Sequence, residues 1–270
     1  MIRFFRRMRH LRRTPRLVVL GVVAALALGA ALPLTALAAP ITAATHSTTC
    51  DLSCIQQFGN ARIAERITAL NSLSGKVQTA LGNKRITSDQ ANALTSDAGT
   101  NETGLNNLKT KLDGETSADA ARQDVKNIYL QFRIYAVVLP RDYRTLYLDA
   151  IVNVHDRLVD LEGTIQDAIT KAGNPAPVVT LFDDYKNQLQ AVESQIDAAN
   201  GELPQLTPEN YNNNHAAYET ALTNLKNDEQ TAHSDLKQAV SDLHQIVQTL
   251  KGGSTASGTA VPSPTSPPSQ

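Results

Sequence analysis

Residues 118–140 read ADAARQDVKNIYLQFRIYAVVLP, and within them Ala118, Ala121, Val125, Ile128, Phe132, Tyr135 and Leu139 recur at steps of three and four. That spacing lines one face of an α-helix with apolar side chains, so it predicts a helix with a single buried stripe. Thr116 and Asp119 match a T-x-x-D variant of the capping box at its start. Pro140 biases Leu139 away from helical angles and predicts the end there.

Working outward, further segments between residues 50 and 251 follow the same rule. The first carries Ile63, Ile67, Leu70, Val77 and Leu81 and closes at Gly82-Asn83. The second opens near Thr87, with Gln90 completing a capping box, and carries Ala91, Leu94, Ala98, Asn101, Leu105, Leu108 and Leu112. Beyond Pro140 a fourth stripe uses Tyr147, Ile151, Val154, Leu158, Leu161, Ile165 and Ala168, and stops at Gly173-Asn174-Pro175. A fifth uses Phe182, Tyr185, Leu189, Val192, Ile196 and Ala199. The last starts at Thr207, with Pro208 at the first helical position, and runs through Tyr218, Leu222, Leu225, Glu229, Ala232, Leu236, Ala239, Leu243, Ile246 and Leu250. Narrow seams joined by short loops predict an all-α fold: an antiparallel up-and-down bundle of about six long, coiled-coil-like helices. A shift of 91 carries Arg66, Leu70 and Gly82-Asn83 onto Arg157, Leu161 and Gly173-Asn174. Residues 50–139 and 142–251 are therefore expected to form two related three-helix units.

The flanks differ in composition. The first sixteen residues hold seven arginines and no acid, and a long apolar run follows that ends in Ala36-Leu37-Ala38. This is the pattern of a cleaved secretion signal, expected over residues 1–38, with a flexible linker over 39–49. Left uncleaved, the same run is long enough to anchor the chain in a membrane. Residues 252–270, GGSTASGTAVPSPTSPPSQ, are too poor in apolar side chains to bury a core and are expected to form a disordered tail.

Without the seven leading arginines, eighteen basic residues face twenty-six acids, a net charge of about −8. A chain of that sign with no basic stripe is not built for nucleic acid. Cys50 and Cys54 stand one helical turn apart, about 6 Å between α-carbons, which suits a local disulfide in an exported protein. Its loop is small, so it should add only about 2 kcal/mol.

No constellation for chemistry emerges. Glu229 and His233 could face one another on a helix, but one such pair is not a metal site. Glu229 and Asn101 read instead as polar seam residues that fix register. His155-Asp156-Arg157 point in different directions on a helix. No catalytic residue, metal or cofactor is expected, and the chain does not read as an enzyme. The aromatic cluster Tyr129, Phe132, Tyr135, Tyr143 and Tyr147 is expected to fill the wider end of the bundle. Exposure of Tyr129 or Tyr143 would turn it into a patch for a partner or ligand.

The blocks RITALNSLSGKV, DVKNIYLQFRIYAVVLPR and YETALTNLKNDEQTAHSDLKQAVSDLHQIVQTLK resemble a group of secreted, all-helical bacterial proteins. That resemblance implies an exported helical bundle and carries over no activity, cofactor or catalytic residue. The last helix departs from the group in its Asn, Asp and Gln, where relatives are more basic. The expected function is that of a structural or interaction module at the cell envelope, outside the cytoplasm, meeting an envelope or extracellular protein. Long seams can also associate with a second copy. The competing expectation is a carrier for a small apolar ligand between the third and fourth helices.

Overall fold

The computed structural model describes residues 50–255, and these are helical, with no strand among them. The expected signal, linker and most of the tail lie outside the described residues. We number the helices α1 (Leu52–Gly82), α2 (Ser88–Gly114), α3 (Ala118–Asn127), α4 (Leu139–Lys171), α5 (Ala176–Glu202), α6 (Pro208–Asn213) and α7 (His215–Thr255).

Their starts follow local chemistry. Asp51 caps α1 by accepting from the Cys54 amide, and Thr87 and Gln90 cap α2 reciprocally. α3 begins at Ser117, which accepts from the Ala120 amide, one residue later than Thr116 was expected to do. Thr207 caps α6, with Pro208 in its first turn. The last expected helix is divided, because Asn214 leaves helical angles at φ −145° and ψ 63°. At its far end α7 continues through Gly252 to Thr255, past the expected stop at Lys251.

The central segment departs furthest from its periodicity. Instead of one helix to Leu139, α3 ends at Asn127, and two π-helical turns, Ile128–Phe132 and Ile134–Val138, flank Arg133 at φ 46° and ψ 36°. The chain bends at Arg133, and Pro140 sits harmlessly in the first turn of α4. The reason lies in the sequence IYAVVL, which is apolar nearly all round. A straight helix buries one face of it; the break lets Ile134, Val137, Val138 and Leu139 all become buried. Tyr135, expected inside, is turned out and is 52% exposed.

Packing separates into distinct cores. Ile63, Leu70, Leu73 and Val77 of α1 meet Ala91, Leu94, Ala98 and Leu105 of α2, together with Ile128, Phe132, Ile134 and Val138 of the junction. Leu148, Ile151 and Leu158 of α4 meet Tyr185, Leu189 and Val192 of α5 and Leu225, Leu236 and Ala239 of α7. Each fully buried large side chain contributes about 1.5–3 kcal/mol. The stripes of α1, α2, α5 and α7 are the expected ones, while at the end of α4 Ala168 faces outward and Ile169 is buried in its stead.

A third, small core of Ile55, Leu112 and Ala121 depends on close approach at Gly59. A Cβ there would lie 2.5 Å from Leu112 Cδ2 and 2.8 Å from Val125 Cγ2, whereas one on Gly75 of the same helix meets nothing. Gly75→Ala should therefore raise stability by about 1 kcal/mol through helix propensity. Gly59→Ala should lower it by about 1–2 kcal/mol through overpacking. Urea unfolding of both variants checks the difference in sign.

A candidate interaction face at the helix break

A non-glycine residue at positive φ is costly, and neighbouring groups over-determine it here. The Arg133 carbonyl accepts from the amides of Ala136, Val137 and Val138 at 3.1, 2.8 and 3.3 Å. Its guanidinium donates through Nε and Nη2 to Asn212 Oδ1 at 2.9 and 2.6 Å and lies 4.6 Å from the ring of Tyr211, both on α6. Asn212 in turn donates to the Leu130 carbonyl at 2.7 Å, so one side chain of α6 clasps both sides of the break. Pro140 brings no N–H for the Ala136 carbonyl four residues back. The hydroxyl of Tyr218 on α7 donates to that oxygen at 3.1 Å.

This bend decides where the aromatic residues go. Tyr129 and Tyr135 both meet Arg66 of α1, their rings 4.6 and 5.3 Å from its guanidinium carbon. They are 39% and 52% exposed, while the arginine they cover is 6% exposed. Arg66 donates to the Arg62 carbonyl at 2.8 Å, and the Tyr135 hydroxyl donates to the Glu65 carbonyl at 3.2 Å. One turn earlier Arg62 lies 4.9 Å from the ring of Phe58, which is 44% exposed, and pairs with Glu65 at 2.8 Å. Phe58, Arg62 and Arg66 thus run at successive turns along α1 and end at the two tyrosines. Among the described residues the exposed large hydrophobics are Phe58, Tyr129, Tyr135 and Val159, so three of those four belong to this strip.

The other members of the aromatic cluster lie elsewhere. Phe132 is buried against Gly104, Tyr143 lies under the ammonium of Lys76, and Tyr147 meets the ring of His233 edge-on. Sequence reasoning grouped the five by closeness in the chain and missed Phe58, Arg62 and Arg66, whose spacing of four was the available signal.

The polar candidates resolve as follows. Cys50 and Cys54 are joined by a disulfide, with α-carbons 5.4 Å apart, at the start of α1. Glu229 is 1% exposed and accepts from Arg144 of α4 at 2.7 Å, and burial holds its carboxyl up at about 7. Burial also lowers His233. Asn101 is half-buried and donates to the Asp97 carbonyl. His155 bonds to the Leu189 carbonyl across the α4–α5 contact and to its neighbour Asp156. Among the described residues no group of three or more His, Cys, Asp or Glu side chains converges, and no helix is long and apolar enough to cross a membrane.

A surface groove of about 480 Å³ runs beside the junction. Thr100, Asn101, Asn107, Lys111 and Gln131 line it with Gly104, Leu108 and Phe132, a mixed wall whose exposed surface is more apolar than polar. Compared with family models, curated proteins and solved structures, the chain finds no match in any of the three.

Removing the hydroxyl that serves the Ala136 carbonyl takes a hydrogen-bond donor from a part-buried acceptor at the break. Tyr218→Phe is expected to cost about 1 kcal/mol in urea unfolding, more than a surface Tyr→Phe change.

Proposed function

We propose that this protein is a non-enzymatic interaction module, exported from the cytoplasm and working at the cell envelope, that docks a protein partner on the strip formed by Phe58, Arg62, Arg66, Tyr129 and Tyr135. The observation that carries the reading is the exposure of Tyr129 and Tyr135 beside one buried guanidinium that both rings contact. Aromatic and arginine side chains are the types enriched at the energetic centres of protein interfaces. A surface whose rings are fixed before binding loses less conformational freedom on contact. The amino-terminal composition motivates the location, with its arginine cluster, apolar run and small-residue triplet.

The same proposal takes the body as an antiparallel bundle. His155 and Tyr185 support this, because His155 bonds to Leu189 and Tyr185 to the Leu158 carbonyl, so α5 retreats as α4 advances. Asn224 with Glu202 and Gln195 with Asp235 give the same sense between α5 and α7. Tyr218 with Ala136 and Arg144 with Glu229 give α4 and α7 a common direction. In that arrangement α1 to α3 and α4, α5 and α7 are two three-helix units joined at the break, each with its own core.

An apolar carrier site has less in its favour. The space at the junction is filled by Ile128, Phe132, Ile134, Val137 and Val138, and the adjoining groove is open to solvent and carries polar side chains beside its apolar ones.

Photo-crosslinking tests the interaction reading. A crosslinking residue placed at Phe58 or Tyr135 in the full chain, expressed in its own host, is expected to yield one shared covalent adduct. The same residue at exposed Val159 should yield none. Equal labelling from all three positions, or none from the first two, contradicts it.

A further inference from the structure

The first two turns of α4 lie between two sets of helices and tie to both through arginines. Arg141 pairs with Asp142 beside it at 2.9 Å and with Asp97 of α2. Arg144 pairs with Glu229 of α7 at 2.7 Å. Each arrangement leaves one carboxyl oxygen buried without a hydrogen-bond partner, Oδ2 of Asp142 and Oε1 of Glu229, and both residues are at least 97% buried. Immediately before them stands the strained segment, with its two π turns and Arg133 at positive φ.

A carboxylate oxygen that is buried and unpaired is tolerable when the group is uncharged and costly when it is ionised. A segment with π turns and a left-handed residue thus leads into the turns of α4 that these two carboxyls help to hold. We infer that the start of α4 is a proton-controlled latch, in which uncharged Asp142 and Glu229 hold it between α2 and α7 and ionisation of the two lets residues 134–147 open.

The titration supports that geometry. Burial raises Asp142 to about 7 against the pull of Arg141, and the charge of Asp97 adds to the rise. Burial raises Glu229 to about 7 against Arg144 and Lys226, with Asp228 adding. Tyr147 of α4 and His233 of α7 face the same cluster, and Glu202 of α5 bears on Asp228. Both folded values lie above the ordinary carboxylate values of 3.8 and 4.5. Their stabilisation is therefore complete below those values and is lost as pH rises through about 7. His233 has the opposite sign: its value is lowered from 6.5, so its protonation weakens the fold on the acid side. A window from about pH 6.5 to 8 isolates the carboxyls.

Hydrogen exchange of the full chain, followed by mass spectrometry with times scaled for the intrinsic pH effect, reads the latch directly. Protection across residues 134–147 is expected to fall about tenfold or more between pH 6.5 and 8, each carboxyl contributing about fourfold. At pH 8 these amides should exchange well ahead of residues 182–199 of α5. The double variant Asp142→Asn with Glu229→Gln should lose the pH dependence. Glu229→Gln alone should retain only about half of it on a logarithmic scale, which keeps the test available if the double variant does not fold. Unchanged protection in the wild type overturns the proposal, as does loss in step with α5 or an unaltered pH dependence in the variants.

Discussion

The left-handed backbone at Arg133 is the constraint on which the arrangement rests. It converts an apolar run that a straight helix buries on one face into two π turns that deliver Ile134, Val137, Val138 and Leu139 to the interior. A conformation of that kind persists only where surrounding groups fix it. Here the Arg133 carbonyl accepts from three amides, Asn212 clasps the chain on both sides, and Tyr218 serves the carbonyl that Pro140 cannot. α6 and the start of α7 therefore reach back across the sequence to hold a bend that local preference alone would not choose.

Surface and interior features both follow from this bend. Outside, it rotates Tyr135 away from the seam and sets it, with Tyr129, against Arg66, leaving two exposed rings on a buried cation. Inside, it brings the first turns of α4 against α2 and α7, where Arg141 and Arg144 meet Asp97, Asp142 and Glu229. Buried ion pairs of this sort add little net stability, because desolvation offsets most of their attraction. Their consequence is conditional: the same contacts hold tightly or loosely according to whether the carboxyls carry charge.

Most of the helical architecture was legible from spacing alone. The stripes of α1, α2, α5 and α7, the Thr87–Gln90 and Thr207 caps, and the stops at Gly82-Asn83 and Gly173-Asn174 are local matters, set within a turn or two of each residue. The break at Arg133 was not legible, because its supports lie about eighty residues away on α6 and α7. Pro140 was the visible breaker, yet a proline in the first turn of a helix breaks nothing. Of the site, the sequence pointed to Tyr129 and Tyr135 through their unusual density of aromatics. It could not separate them from Tyr143 and Tyr147, since after a left-handed residue the i, i+3, i+4 register no longer carries across. Glu229 was recognisable as a polar seam residue, while its partner Arg144 is known only from the fold.

The central claim concerns backbone geometry, and NMR tests it without perturbing the molecule. Carbon chemical shifts and the amide–α-proton coupling across residues 118–147 should show helix to Asn127, an interruption at Arg133 with the signature of positive φ, and helix again from Leu139. Uninterrupted helical shifts from Ala118 through Leu139 would contradict the account.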